Sequence, residues 1–329
     1  MKFGIIGTNF VSDFFMDGAA QVEACQVVAV CSRRLDNAKQ FAEKYDIPNT
    51  FDSYEEMAEA NLIDAVYVAV PNGLHREISE YFLNRKIPVF CEKPMAGNLK
   101  EVEAMIACAK ENQTYLQEGL IPLYNPNFQI IKDNLKRLGR IHQATFNFSK
   151  YSSRYDAYLR GENPTTFRRE LANGAIMDLG VYVFADCVGL WGKPNKVLSA
   201  CSLLDTGADV SGTSILVYDD FPVTLSYSKA SDTENKCEIC GENGLITFDI
   251  PSMPTVVTFT DRVSKEKETI SVPKKENFYY EITEMIQQVE AGKTESEKVP
   301  FSTSLAIHDL ITQCRQQAGM VFPCDEIEE

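Results

Sequence analysis

No stretch of this sequence is rich in lysine and arginine: 32 basic residues stand among 47 acidic ones, the formal net charge is −15, and the isoelectric point is near 4.8. A nucleic-acid surface needs clustered positive charge, so nucleic acid is not expected as a partner. Nor does any continuous apolar run reach the roughly 18 residues of a membrane-crossing helix. The opening MKFGIIGTNF passes from one lysine into a short apolar stretch, with neither the apolar core nor the small-residue cleavage site of a signal peptide. The expectation is a cytoplasmic protein with no membrane partner. The cysteines, Cys25, Cys31, Cys91, Cys108, Cys187 and Cys201 among them, are scattered through apolar segments instead of stapling loops. That is the pattern of buried thiols in a reducing compartment. Cys237 and Cys240 have the spacing of half a metal site, but no second pair completes a tetrahedral set. They sit in NKCEICGENGLITFD, which reads as strand, turn and strand, where residues three apart face opposite sides. No metal is expected.

What is present is an ordinary globular composition, 44% apolar and 24% charged, over 329 residues. Single cores stop growing near about 250 to 300 residues, so two domains are expected. The first part of the chain alternates short apolar runs with amphipathic stretches: KFGIIG, a helical segment from about residue 10, QVVAVCS, LDNAKQFAEKY, IDAVYVAV, a helix from about His75 to Asn84, IPVFC, a helix from about Leu99 to Asn112, and TYLQEGL. Such crossovers build a parallel sheet. After residue 121 the pattern changes. A helix near Asn125 to Leu138 closes at Gly139, HQATFNFSKY alternates as a strand, and further alternating segments lie between 196 and 272. Helices near 277 to 291 and 303 to 318 close the chain, and GENPTT, from Gly161 to Thr166, marks a loop. The fold class expected is α/β: an N-terminal Rossmann domain with a doubly wound parallel sheet over 1–120, then a C-terminal α+β domain with an open, mainly antiparallel sheet over 121–329.

The chemistry-bearing residues follow the strands. After Lys2 to Ile6 comes Gly7-Thr8-Asn9-Phe10-Val11-Ser12, where a dinucleotide fold wants G-x-G-x-x-G/A so that backbone N–H groups can approach a pyrophosphate. Only the first glycine is present; Asn9 adopts positive φ more readily than most residues, and Ser12 is small enough for close helix packing. Taken alone, the turn suits a cofactor or a plain loop equally. The second strand runs into Cys31-Ser32-Arg33-Arg34, with no acid to hold a ribose 2′-hydroxyl. A hydroxyl and two guanidiniums suit a 2′-phosphate, which favours NADP over NAD; the alternative is a solvated helix start.

Two more strands end in polar clusters, Pro71-Asn72-Gly73-Leu74-His75 and Glu92-Lys93-Pro94, and a distant segment reads Ala172-Asn173-Gly174-Ala175-Ile176-Met177-Asp178-Leu179-Gly180-Val181-Tyr182. With GIIGT, FRRELANGAIMDLGVY and the closing CRQQAGMVFPCD, this ordered set resembles the Gfo/Idh/MocA family of oxidoreductases along nearly the whole chain. Tyrosine in D-x-G-x-Y is most similar to the dihydrodiol dehydrogenase and glucose-fructose oxidoreductase branch, whose members are NADP-linked. The resemblance implies hydride transfer between nicotinamide and a secondary alcohol or carbonyl of a sugar, polyol or cyclic diol, with Lys93, Tyr182 and Asp178 as the catalytic residues. Tyr182 is the implied proton donor or acceptor, Lys93 its electrostatic partner and Asp178 the carboxylate that orients Lys93; the exchanged assignment of Lys93 and Tyr182 is a close second. Gly7, Thr8, Asn9, Phe10, Ser32, Arg33, Arg34, Pro71, Asn72, His75, Glu92, Lys93 and Glu118 are the implied cofactor residues. Read without the resemblance, His75 caps a helix or fills a core, Asp178 is first-turn charge, and Tyr182 is a core aromatic. Arg168 and Arg169 default to a solvent-facing pair; His142 and His308 look structural. The family also implies a homodimer or homotetramer through the C-terminal sheet. Other classes left open are a non-catalytic NADP-binding sensor and a glycoside-cleaving relative.

Overall fold

A computed structural model describes residues 1–275 and 278–326. The first stretch alternates as β1 (Lys2–Ile6), α1 (Phe10–Ala19), β2 (Gln26–Cys31), α2 (Leu35–Tyr45), β3 (Asn49–Phe51), α3 (Tyr54–Glu59), β4 (Ala65–Val68), α4 (His75–Leu83), β5 (Val89–Glu92), α5 (Leu99–Asn112) and β6 (Leu116–Gly119). Then come α6 (Ile121–Tyr124), α7 (Pro126–Asn134), β7 (Ile141–Ser149), α8 (Ser153–Leu159), α9 (Val181–Trp191), β8 (Lys196–Leu203), β9 (Asp209–Val217), β10 (Pro222–Ser228), β11 (Cys237–Gly241), β12 (Gly244–Phe248), β13 (Val257–Asp261) and β14 (Lys267–Thr269). Last are α10 (Tyr279–Glu290) and α11 (Phe301–Gln317). The expected helix over 277–291 is α10; Asn277 itself lies outside the described residues.

Two compact units result, one of 1–121 with 275–304 and the other of 122–274 with 305–329. This departs from the expected pair of consecutive domains, because α10 returns to the first unit. Its N-cap residue Phe278 and its Ile282, Met285 and Ile286 are buried in the core formed by Phe3, Phe15, Tyr67 and Phe90. Phe15 stacks on Tyr67 at 4.1 Å between centroids, and Phe278 meets Phe15, Tyr67 and Phe90 at 5.7 to 5.9 Å. Alternation distinguishes strand from helix but does not say which sheet a late helix covers.

The first unit's six strands are all parallel in the order β3-β2-β1-β4-β5-β6. Both faces are covered, which is why β1, β4 and β5 read as continuous apolar runs. The chain reverses its order of addition between β1 and β4, and ligands of open α/β sheets bind beyond the strand ends at that point. The helix following β5 starts where expected because Asn98 caps it, accepting from the Glu101 N–H at 3.0 Å, while the Glu101 carboxylate takes the Gly97 N–H at 3.0 Å.

The second unit holds eight strands in the order β14-β13-β12-β11-β7-β10-β9-β8, antiparallel except for the β7–β10 pair. Ala144, Phe146, Val223, Leu225 and Tyr227 are buried on one face. The other face carries exposed Leu198 and Ile215, which are register partners. The stretch from Arg169 to Trp191 is long and apolar enough by composition to cross a membrane, yet 78% of its most apolar window is buried in this fold. Cys237 and Cys240 lie on β11 as expected, the first buried and the second half-buried on the opposite side.

Candidate active site

Each unit carries its own set of polar residues. In the first, Gly7 has φ +105°, and a Cβ there would lie 2.0 Å from the Ala69 carbonyl oxygen. No other residue fits without moving β4 away. Asn9 is not in the positive-φ conformation expected of it: it has φ −86° and caps α1, its Oδ1 accepting from Val11 N–H at 2.9 Å and its Nδ2 donating to the Ala69 carbonyl at 2.8 Å. With a side-chain cap supplying the turn, the missing second glycine is not required for backbone conformation. Ser12 is fully buried, as its size suggested, and donates to the Gly7 carbonyl at 2.8 Å. Thr8 is half-buried, Asn9 and Phe10 are exposed, and all three stand at the N-terminus of α1, where backbone N–H groups and the helix dipole favour an anion.

The end of β2 lies beside this turn, since Gly7 N–H donates to the Cys31 carbonyl at 2.9 Å. Ser32 is half-buried there, and Arg33 and Arg34 are exposed. A tight glycine turn at a helix N-terminus, with a hydroxyl and two guanidiniums beside it, fits a phosphate-bearing dinucleotide.

At the end of β5, Glu92 is buried and receives the Tyr67 hydroxyl at 2.6 Å on Oε1 and the Lys93 N–H at 3.3 Å on Oε2. Burial raises its pKa to about 7, against the opposing pull of these hydrogen bonds. Glu281, on α10 in the same unit, is completely buried and is held well above the usual carboxylate range by burial and then by the charge of Glu92. Lys93 is half-buried. His75 is neither an exposed cap nor an exposed ligand group: it is fully buried, with Nδ1 3.0 Å from the Pro94 carbonyl and Nε2 2.8 Å from the Val70 carbonyl. Burial lowers its pKa, so at neutral pH the ring donates to one of the two. Its role is to tie the Pro71-to-His75 turn to the turn after β5. Glu118, at the end of β6, does the same from the other side, accepting the Met95 N–H at 2.8 Å. Pro71 and Asn72 are half-buried at the mouth of their turn.

In the second unit, Ile176–Gly180 form a π-helical turn that runs directly into α9. Such turns recur at functional sites. Its neighbours on both sides are buried, while Asp178 and Tyr182 alone between Ile176 and Val188 are partly exposed. Buried Asp209 holds the start of the turn, accepting the Ile176 N–H at 2.9 Å, and burial raises its pKa to about 7. A Cβ on Gly174 would lie 2.2 Å from Asp209 Oδ1, so a larger residue here would displace the Asp209 carboxylate. The Tyr182 ring meets Phe148 edge-on at 5.6 Å. Asp178 makes an ion pair with Lys229, a partner the sequence did not suggest. Neither Asp209 nor Lys229 carried a signal: one is an acid leading into an alternating strand and the other a single lysine just after one.

Arg169 is exposed as expected, whereas Arg168 is half-buried and donates to the Asn163 carbonyl at 2.8 Å. His142 is exposed beside Glu242, and His308 is buried.

Residues 1–120 match the family model described as an oxidoreductase family with an NAD-binding Rossmann fold, and residues 130–247 match that of the GFO/IDH/MocA C-terminal domain. The chain is 39% identical over 327 residues to a scyllo-inositol 2-dehydrogenase (NADP(+)) of Bacillus subtilis, which covers 99% of each protein. It is 29% identical over 344 residues to a trans-1,2-dihydrobenzene-1,2-diol dehydrogenase of Danio rerio, covering 99% of each. A 3-ketoreductase from Actinomadura kijaniata, solved with NADP and TDP-benzene, has the same fold, with a TM-score of 0.86 at 22% identity over 97% of this chain and 98% of that one.

Proposed function

The chain belongs to the Gfo/Idh/MocA family of NAD(P)-dependent oxidoreductases acting on CH–OH groups, and from that premise we propose that it uses NADP to interconvert a secondary alcohol and its carbonyl in a sugar, polyol or cyclic diol. The observation that carries the reading is the strand-end set of the first unit: Gly7 pressed on the Ala69 carbonyl, with Ser32, Arg33 and Arg34 where an NAD site would present an acid. The whole-length likeness to a dehydrogenase named for NADP and a cyclic polyol supports both halves of it.

Gly7, Thr8, Asn9 and Phe10 would hold the pyrophosphate, Ser32, Arg33 and Arg34 the 2′-phosphate, and Pro71, Asn72, Glu92, Lys93 and Glu118 the nicotinamide side, with His75 acting through the turn it ties. When bound, the nicotinamide accepts or returns the hydride. The proton is the protein's part: Tyr182 takes the hydroxyl proton during oxidation and returns it during reduction. Lys93 supplies the positive charge that favours the phenolate and a developing alkoxide. Asp178 is the carboxylate that orders the charged groups of the site. The exposed face of the second sheet, with Leu198 and Ile215, is the surface through which a homodimer or homotetramer would form. A cytoplasmic location belongs to the same reading, the cysteines being scattered through apolar segments instead of stapling loops.

Charge-assisted contacts to a 2′-phosphate are made with NADPH and not with NADH. Arg33→Ala with Arg34→Ala should therefore weaken NADPH binding about 10-fold or more while changing NADH binding by less than about 3-fold. Calorimetric titration of both cofactors checks this, and equal losses would overturn the NADP assignment.

A further inference from the structure

We propose that Lys229 is a positioning residue of the active site, whose buried ammonium keeps the Asp178 carboxylate charged and fixed on the turn that leads to Tyr182. The proposal rests on the functional reading of Asp178 and Tyr182 given above.

Lysine is almost never this deeply buried unless it is paired, because removing an ammonium from water is costly. Lys229 is 6% exposed, and its partner is Asp178. The pair is asymmetric. The lysine side chain is 8% exposed and that of Asp178 46%. An ion pair that served the core alone would bury both partners, whereas here the cation is sunk beneath a carboxylate that keeps an open side. The base of Lys229 is fixed on two sides: its N–H donates to the Val210 carbonyl at 2.9 Å, and its carbonyl accepts from the Ser152 N–H at 2.9 Å. The turn bearing Asp178 is fixed independently by Asp209 on the Ile176 N–H and by the Asp178 N–H on the Gly174 carbonyl at 3.1 Å. Two immobile supports thus set the direction of one carboxylate, and Tyr182 follows on the same helical segment.

The other ionisable groups of this neighbourhood are acids, phenols, the thiols of Cys201 and Cys314, and the guanidiniums of Arg168 and Arg315. Asp209 lies under the turn, Tyr227 precedes Lys229 by two residues and packs against Gly180, Tyr182 follows Asp178, and Asp232 accepts the Tyr151 N–H at 2.9 Å. Arg168 is engaged with the Asn163 carbonyl. Fully buried Arg315, whose charge acts on Asp209, is engaged with Asp325. Lys229 is the buried ammonium paired with Asp178, and its removal takes that charge away from the carboxylate.

The test compares Lys229→Met, Lys229→Arg, Asp178→Asn and the Met/Asn double variant, with folding verified by circular dichroism. Lys229→Met should lower kcat/KM by about 30-fold or more, mainly through kcat, and move the acid limb of the pH profile up by about one unit, with NADPH affinity within about 2-fold of wild type. Lys229→Arg should restore activity to within about 5-fold, and adding Asp178→Asn to Lys229→Met should cost less than about 3-fold more, because the two act as one unit. Wild-type turnover by Lys229→Met, an unmoved acid limb, or fully additive losses would overturn the proposal. A second measurement stands apart from turnover: carboxyl NMR titration, with Asp178 assigned by its absence in Asp178→Asn. Its midpoint should rise by about one unit in Lys229→Met and stay in place in Lys229→Arg. An unchanged midpoint overturns the role of Lys229 whatever the substrate. Absence of turnover in the wild type, with the midpoint shift present, would instead overturn the functional reading alone. Should Lys229→Met not fold, Lys229→Gln takes its place in both measurements with the same expected results.

Discussion

Glu92 shows how one side chain links the site to the stability of the molecule. Burial raises its pKa to about 7, so the folded protein keeps a proton on it over a range where the unfolded chain, with a value near 4.5, has released it. The folded state then binds more protons than the unfolded one, and stability falls as pH rises from about 5 to 7, by up to about 1.4 kcal/mol per unit for the group. Above about pH 7 both states are ionised and this slope ends. Glu92→Gln keeps an acceptor for the Tyr67 hydroxyl and removes the titration. Thermal melts between pH 5 and 7 should therefore decline less steeply for Glu92→Gln than for wild type, and parallel curves would contradict the assigned burial. Lys93, Asp178 and Tyr182 were singled out by the resemblance of their motifs to the Gfo/Idh/MocA family, and the fold leaves Asp178 and Tyr182 partly exposed in an otherwise buried segment. Lys229 and Asp209 were not legible, since their burial is set by strands distant in sequence that only the folded sheet brings together.

Among the elements, α10 carries the lesson about what periodicity cannot give. Its span was readable from the apolar spacing of Ile282, Met285 and Ile286, and its destination was not, because a helical stripe names a face and not the surface it covers. Phe278 fixes that destination by closing the aromatic cluster of Phe15, Tyr67 and Phe90 directly behind β1, β4 and β5, the strands whose ends carry Gly7, Pro71 and Lys93. A Cβ on Gly18 would lie 3.0 Å from Phe278, so α1 passes close to it there. Phe278→Ala should cost about 3–5 kcal/mol by opening a cavity there. Chemical denaturation checks this, and a loss below about 1 kcal/mol would mean that α10 is not tied to this core. Asn9 teaches the complementary point: the turn after β1 departs from the glycine fingerprint in letters, but its cap and the close approach of Gly7 to Ala69 keep a helix start of the kind that favours anions.

For the whole molecule, the order of strands was predictable in kind and the division into units only in part. Parallel character followed from short strands alternating with helical crossovers, and antiparallel character from alternating segments separated by turn signals. The return of 275–304 to the first unit did not, because nothing local marks a chain that leaves a domain and comes back. NADP-linked oxidation of a secondary alcohol is tested by following nicotinamide absorbance with NADP+ or NAD+ and a panel of inositols, aldoses and trans-diols, with Lys93→Met as the control. The expected result is reduction of NADP+ in preference to NAD+ with at least one of these alcohols, and loss of about 100-fold or more in Lys93→Met, the scale expected when a group that assists proton transfer is removed. Turnover that persists unchanged in Lys93→Met, or no turnover of any alcohol by a protein that binds NADPH, would contradict it.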